Sequence, residues 1–132
     1  SLKNNKKFNK NYPFNERAIL SVNTKPVVAL CNENSYSNAE IFSHAFQALD
    51  LGTLVGRPTF GAVISTGGAG LLNGSFVRMP FRAWYVKSTN KNMEHGPAVP
   101  DIEVFNQPDS KSKGEDPQLQ KAVEQLLIEI GN

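Results

Sequence analysis

The sequence predicts an α/β domain with a mixed sheet, a βαβ unit, a β-hairpin and a C-terminal helix. A short apolar run at 27–31 is followed by helical periodicity over 38–50 and a second apolar run at 54–56. An Asn-Gly pair between β-rich segments is a strong hairpin signal. An amphipathic segment at 117–130 has helical spacing. Alternation of strands and helices of this kind is typical of a layered α/β fold.

The amino-acid composition limits the classes of protein to which the chain can belong. The chain has 132 residues, of which 39% are hydrophobic and 20% charged, as expected for one globular domain with a real core. Its net charge of +2 is too near neutral to indicate nucleic-acid binding. No apolar run reaches membrane-spanning length, so we expect no membrane span in this segment. The single cysteine, Cys31, excludes an internal disulfide, and no Cys or His spacing indicates a metal site.

The first 24 residues differ from the rest. They are polar and Asn-rich with four early lysines, and we interpret them as an arm or linker that ends in an edge strand at 18–22. Residues 25–132 then form the domain proper. Because the chain starts without Met in a linker-like segment, we expect it to be part of a longer protein.

The βαβ unit begins at the apolar run 27–31, which turn residues bound on both sides. A short continuous apolar run is typical of a central strand covered on both faces, with Cys31 as a core residue. The helix over 38–50 should end at Gly52. A strand at 54–56 follows it, so a parallel crossover is the economical interpretation.

The second half of the chain contains shorter β elements. We predict a loop at 57–62, a strand at 63–66, a flexible stretch at 67–70, a hairpin at 71–77, a strand at 81–87 and a last strand at 102–104. The aromatic residues Phe81, Trp84 and Tyr85 are interpreted as strand-packing residues rather than as a peptide platform.

The C-terminal helix has the clearest signals. Asp116 is the predicted N-cap and Pro117 the first helical residue. Its apolar stripe must be buried against the sheet or against a missing neighbour; the stripe consists of Leu119, Val123, Leu126, Leu127 and Ile130. We therefore expect the isolated chain to form a homo-oligomer or to associate with the missing part of the protein.

Ser37 is the candidate nucleophile. It lies in a polar turn between a buried strand and a helix N-terminus, whose free N–H groups and dipole favour a developing anion. The alternative, a plain helix N-cap, is the commoner role for a serine in this position. His44 lies two turns into the helix, ~10 Å from Ser37, and is expected to be structural. His95 sits in a loop that could return to the site, but we favour it less as a base.

Five stretches, in register, resemble the C-terminal processing (tail-specific) family of serine proteases, and most closely its tricorn branch. They are Asn32-Glu33-x-x-Tyr36-Ser37-Asn38-Ala39-Glu40-Ile41-Phe42, Leu51-Gly52-x-Leu54-Val55-Gly56-x-x-Thr59-Phe60-Gly61, Leu71-Leu72-Asn73-Gly74-Ser75, Glu94-x-Gly96-x-x-Val99-Pro100-Asp101-Ile102 and Gly114-x-Asp116-Pro117-Gln118-Leu119. The resemblance implies that 25–132 is the C-terminal part of a catalytic domain with a core related to the ClpP and crotonase folds.

The same resemblance implies roles for individual residues. Ser37 matches the nucleophile, the backbone N–H of Asn38 one oxyanion donor, and Glu94 the supporting glutamate. We expect Thr59, Phe60 and Gly61 to line the substrate site. In the other branch of the family a lysine base follows this Thr-Phe-Gly loop. This chain has Ala62 there, which favours the tricorn branch.

The resemblance further implies that a histidine base, its serine and a second oxyanion donor lie upstream of this chain. The leading hypothesis is a serine peptidase fragment that cleaves a peptide or protein substrate through an acyl-enzyme on Ser37, without metal or organic cofactor and inactive in isolation. The alternatives are an inactive peptide- or ligand-binding module of the same fold, and an assembly role for the helix at 117–130. Relatives of the tail-specific branch favour the bacterial envelope over the cytoplasm.

Overall fold

The computed structural model describes residues 25–131. The predicted arm and edge strand at 18–22 lie outside these described residues. The described elements, in chain order, are β1 (Val28–Cys31), α1 (Asn38–Ala48), β2 (Thr53–Gly56), β3 (Ile64–Gly70), β4 (Phe76–Ala83), β5 (Tyr85–Val86), β6 (Lys91–Asn92), β7 (Ile102–Glu103), a short 3₁₀ helix (Lys111–Lys113) and α2 (Pro117–Gly131). The α/β class, the hairpin and the C-terminal helix are as predicted.

A parallel sheet with the order β1-β2-β7 forms the centre of the fold. Leu30 lies opposite Val55, and Val55 opposite Ile102. The helix α1 connects β1 to β2, so the predicted βαβ unit is confirmed. The antiparallel strands do not join this sheet, because β3 pairs with β4 and β5 with β6 in two separate ribbons.

The buried core lies between α1 and the sheet. Cys31, Phe46 and Leu54 form it, and Leu54 and its neighbour Val55 are fully buried. The prediction that the first strand is covered on both faces is wrong for the described part of the chain, since Leu30 remains 46% exposed. Among the described strands, β1 lies at one end of the order β1-β2-β7 and not at its centre.

The helix α1 ends earlier than its periodicity predicted. Its last residue is Ala48, and the left-handed residue beyond it is Asp50 (φ 52°), not Gly52. Gly52 serves a different purpose, because a Cβ there would lie 1.9 Å from the carbonyl oxygen of Val27. The glycine therefore permits close strand approach rather than ending the helix.

The helix α2 places an unexpected face on the sheet. Asp116 caps it as predicted, accepting the N–H of Leu119 at 3.0 Å, a bond that lowers the pKa of this exposed carboxyl group. Gln118 and Ala122 are buried, and the Gln118 side chain donates to the carbonyl of Val104 at 2.9 Å. The polar side of the helix thus faces the sheet.

The apolar stripe of α2 consequently faces outward within the described structure. Leu119 is 49% exposed and Leu127 63% exposed. The predicted burial of this stripe against the sheet is therefore wrong. The other prediction, a neighbour that covers it, stays a prediction. Within residues 25–131, no helix is both long and apolar enough to cross a bilayer.

The β3–β4 hairpin is longer than predicted. Its turn includes the Asn-Gly pair and is closed by a hydrogen bond from the N–H of Gly74 to the carbonyl of Leu71. The stretch 67–70, which we expected to be flexible, belongs to β3 and pairs with 76–79 of β4. Cross-strand hydrogen bonds order these small residues, and the ring of Phe76 lies over Gly68, where a Cβ would be 1.9 Å away.

We expect the Cys31 thiol to be unreactive in the folded protein. Burial raises the pKa of Cys31 to about 11, and its Sγ lies 3.1 Å from the carbonyl oxygen of Arg57. At pH 8.5 its alkylation by iodoacetamide should therefore be about 10²-fold slower in the folded protein than in urea. A reference thiol made by Ser75→Cys in a Cys31→Ala background should react equally fast in both states. Rapid alkylation of folded Cys31 would contradict this prediction.

Candidate active site

Ser37 is held in an unfavourable backbone conformation directly before α1. Its φ of 56° and ψ of −109° lie outside the ordinary regions for a residue with a side chain. The preceding turn is compact, because the N–H of Ser35 donates to the carbonyl of Asn32 at 2.8 Å and the Ser35 hydroxyl accepts the N–H of Asn32 at 3.1 Å. Such a conformation persists only where surrounding contacts enforce it, and it is common at active sites.

The enforcing contact is the buried carboxylate of Glu40, which has no exposed surface. One oxygen, Oε1, accepts the backbone N–H of Ser37 at 3.1 Å and that of Ala62 at 2.9 Å. The other, Oε2, accepts the Thr59 hydroxyl at 2.7 Å and the backbone N–H of Gly61 at 2.5 Å. Four donors therefore satisfy a charge that would otherwise be costly to bury. The carboxylate joins the serine turn to the loop at 59–62.

Further contacts hold the same loop against the serine turn. The N–H of Phe60 donates to the carbonyl of Ser35 at 3.0 Å, and the Phe60 ring meets Tyr36 edge-on at 5.6 Å. The Thr59 hydroxyl also accepts the N–H of Ala98 at 2.8 Å. The structure thus brings together Ser37 and the three residues expected to line the substrate site, with Phe60 65% exposed.

Glu94 lies on the far side of this loop. The N–H of the next residue, His95, donates to the carbonyl of Gly61 at 2.8 Å. The carboxylate oxygen Oε2 of Glu94 is buried, and no residue of 25–131 hydrogen-bonds to it. A buried carboxylate oxygen normally has a partner. The backbone next to Glu94 is therefore bonded to the loop at 59–62, and the Oε2 atom of Glu94 lacks a hydrogen-bond partner among the described residues.

The two histidines of the chain lie in other surroundings. His44 is half-buried, and its Nε2 lies 3.0 Å from the carbonyl oxygen of Gly96, which agrees with the expected structural role. His95 is exposed and has a left-handed backbone with φ 55°. Among the described residues, the lining of the Ser37 cavity includes neither of them.

Ser37 opens onto a cavity of about 300 Å³. The serine turn and the start of α1 form one wall. The hairpin forms the other, and its lining residues are Ile64, Ser65, Thr66, Arg78, Phe81 and Trp84. The Trp84 indole N–H donates to the Ser65 hydroxyl at 2.8 Å. The strand-packing role expected for Phe81 is wrong, because this ring is 66% exposed and borders the cavity.

Asn38 is the first residue of α1, and it lines the same cavity. The next two N–H groups of the chain are engaged, since Ala39 donates to the carbonyl of Tyr36 and Glu40 to that of Ser37. The N–H of Asn38 precedes them at a helix N-terminus, where the first-turn donors have no intrahelical acceptor. It is the backbone donor that directly follows Ser37.

Residues 25–131 contain no group of three or more His, Cys, Asp or Glu side chains that is arranged to hold a metal ion.

Comparison with known proteins identifies the family of the chain. The sequence profile of Peptidase family S41 matches residues 2–104. The chain belongs to peptidase family S41. Over 106 residues it is 33% identical to the tricorn protease of Thermoplasma volcanium, an alignment that covers 80% of this chain and 10% of that protein. It is 35% identical over 106 residues to tricorn protease homolog 1 of Streptomyces coelicolor, with the same coverage. The S41 chain therefore spans about a tenth of the length of these relatives.

Solved structures agree with this assignment. The crystal structure of the tricorn protease matches the S41 chain with a TM-score of 0.76 at 30% identity, covering 81% of this chain and 11% of that one. Mature CPAF gives a TM-score of 0.69 at 24% identity, covering 83% and 22%, which shows the fold alone. The predicted resemblance to the tricorn branch and the predicted fold class are confirmed.

Sequence reasoning missed the central role of Glu40. A signal was present, since Ser37 and Glu40 have the Ser-x-x-Glu spacing of a capping box. In the structure the glutamate accepts the N–H of the serine, as in a capping box, and also accepts three donors from a loop about 20 residues away.

Glu40→Gln should destabilise the protein strongly. An amide would place an NH₂ group against N–H and O–H donors that now meet a carboxylate oxygen. We expect a loss of about 3 kcal/mol or more in the free energy of unfolding, since each hydrogen bond to a charged group contributes about 1.5–3 kcal/mol. Urea unfolding measures it. The matched control is Glu33→Gln in the exposed turn, expected to stay within about 0.5 kcal/mol. Equal stability of the two variants would refute the role of Glu40.

Proposed function

We propose that this S41 chain carries the nucleophile half of a serine peptidase site. One observation carries the proposal. Ser37 has a strained backbone at the N-terminus of α1, is fixed by the buried Glu40 carboxylate and faces a cavity. A serine that only capped a helix would need neither the positive φ nor an open cavity in front of it.

The proposed chemistry is acyl transfer. The Oγ of Ser37 attacks the carbonyl carbon of a peptide bond and gives its proton to a general base. The backbone N–H of Asn38 donates to the oxyanion. The C–N bond then breaks, the leaving amine takes the proton from the base, and an ester remains on Ser37. Water, activated by the same base, hydrolyses the ester and releases the acid product.

The base comes from outside residues 25–131 in this proposal. Ala62 replaces the lysine that could act from the loop at 59–62, and its N–H is bonded to Glu40. The buried Oε2 atom of Glu94 has no hydrogen-bond partner among residues 25–131. This observation favours a positioning role for Glu94, in which its carboxylate orients the group that positions the base. A histidine and a serine from an upstream segment fit this arrangement, as the resemblance implied. The envelope location stays a prediction.

The second candidate is a binding module that has lost catalysis. The absence of a lysine at position 62 is compatible with this candidate as well as with the tricorn branch. Such a module would keep the cavity and the Glu40 network but would need no base. Reactivity of Ser37 distinguishes the two candidates, because a hydroxyl without a base is a poor nucleophile.

A fluorophosphonate probe tests the leading proposal in the intact protein. We expect covalent labelling at Ser37 in the wild type and none in Ser37→Ala, because an activated serine attacks the phosphorus and expels fluoride. Ser75→Ala at the exposed hairpin tip is the control and should label like the wild type. Mass spectrometry of the labelled peptide identifies the site. An unlabelled wild type, or a labelled Ser37→Ala protein at the same peptide, would reject the nucleophile.

Glu94→Gln tests the supporting carboxylate. The amide keeps the shape of the side chain and removes its charge, so we expect kcat/KM for a peptide substrate of the intact protein to fall about 10²-fold. Glu115→Gln, also an isosteric change in an exposed loop, should keep wild-type kinetics. If both variants hydrolyse the peptide at the wild-type rate, Glu94 has no part in catalysis.

A further inference from the structure

We propose that Arg78 makes the Ser37 cavity selective for peptides with an acidic side chain, Asp or Glu, near the scissile bond. The inference rests on the proposed peptidase function and adds a substrate class to it. Among the described residues that line this cavity, Arg78 is the one with a charged side chain. A cation in the wall of the cavity that Ser37 faces is a natural basis for recognising a carboxylate.

Arg78 and Phe81 both come from β4 and both line the Ser37 cavity. The pairing of β4 with β3 shifts between them, since Ser65 lies opposite Arg82 while Thr66 lies opposite Pro80. Phe81 is the extra residue at this irregularity. The hairpin therefore contributes both a charged side chain and an aromatic ring to the cavity that Ser37 opens onto.

The guanidinium of Arg78 is oriented but not neutralised. Its Nε and Nη2 both donate to the Thr66 hydroxyl, at 3.2 and 2.8 Å. The ion pairs found within 25–131 involve Arg57, Lys113 and Lys121, and none of them includes Arg78. The guanidinium has five N–H donors, so the remaining ones are available to a carboxylate of the substrate. Orientation by Thr66 lowers the entropy cost of that contact.

The rest of the cavity is consistent with an anionic ligand. The N-terminus of α1 presents its positive dipole end at Asn38 on the opposite wall. The nearby Glu40 carboxylate is fully buried behind the serine turn and bonded to four donors, so it does not compete for Arg78. The rings of Phe81 and Trp84 offer apolar surface to the methylene groups of an Asp or Glu side chain.

Matched peptides test this selectivity in the intact protein. Peptides are acetylated and amidated, so that no terminal carboxylate is present, and Asp, Asn or Lys is placed in turn at each position flanking the cleaved bond. We expect kcat/KM to be about tenfold or more higher for Asp than for Asn at one position. The Asp/Asn ratio should fall towards one in Arg78→Gln and stay at the wild-type value in Arg82→Gln, a neighbouring exposed arginine outside the cavity lining.

A charge reversal makes the test independent of folding losses. Arg78→Glu should prefer the Lys peptide over the Asp peptide at that same position, a gain that a damaged protein cannot show. An Asp/Asn ratio near one in the wild type, or a ratio retained in Arg78→Gln, would overturn the inference.

A binding measurement separates this inference from the proposed function. Fluorescence anisotropy of the same peptides on Ser37→Ala protein reports carboxylate selectivity without hydrolysis. Tighter binding of the Asp peptide that Arg78→Gln abolishes supports the Arg78 site even if no serine labelling occurs. Equal affinity for Asp and Asn peptides in a protein whose Ser37 reacts with fluorophosphonate would overturn the Arg78 site and leave the nucleophile standing.

Discussion

The buried carboxylate of Glu40 is the contact on which the candidate site depends. A carboxylate without exposed surface is tolerable only when donors surround it. Here those donors come from the residue before α1 and from the loop after β2. The hydrogen bonds to this carboxylate therefore hold Ser37 in a strained conformation. They also hold the loop at 59–62 against the serine turn. The same carboxylate therefore contributes to stability and fixes the backbone geometry of Ser37.

The two walls of the cavity come from different parts of the fold. The parallel sheet and α1 place Ser37 and Asn38, while the β3–β4 hairpin places Arg78 and the aromatic residues. Only the first wall belongs to the packed core, since the hairpin residues are largely exposed. This division suits the proposed peptidase site, in which Ser37 must be held rigidly and the wall formed by the hairpin can vary.

Local signals in the sequence predicted the βαβ unit, the Asn-Gly hairpin and the cap of α2, because each depends on residues close in the chain. Predictions failed where contacts between residues far apart in the sequence determine the local structure. Residues 67–70 look flexible until β4 pairs with them. The apolar stripe of α2 has the pattern of a buried face, but the face that packs inward contains Gln118 and Ala122. Hydrogen bonds from Gln118 to Val104 and from Thr53 to Glu129 hold this polar side inward.

For the site, the sequence by itself determined the candidate nucleophile, its backbone donor and the resemblance to a peptidase family, because these lie in one short motif at a strand–helix junction. Only the tertiary structure decided what surrounds them. It placed the Glu40 carboxylate among donors from Thr59 to Ala62, left one oxygen of Glu94 without a described partner, and placed Arg78 in the lining of the Ser37 cavity. The physical reason is that burial and charge pairing depend on distances across the chain, which sequence spacing does not specify.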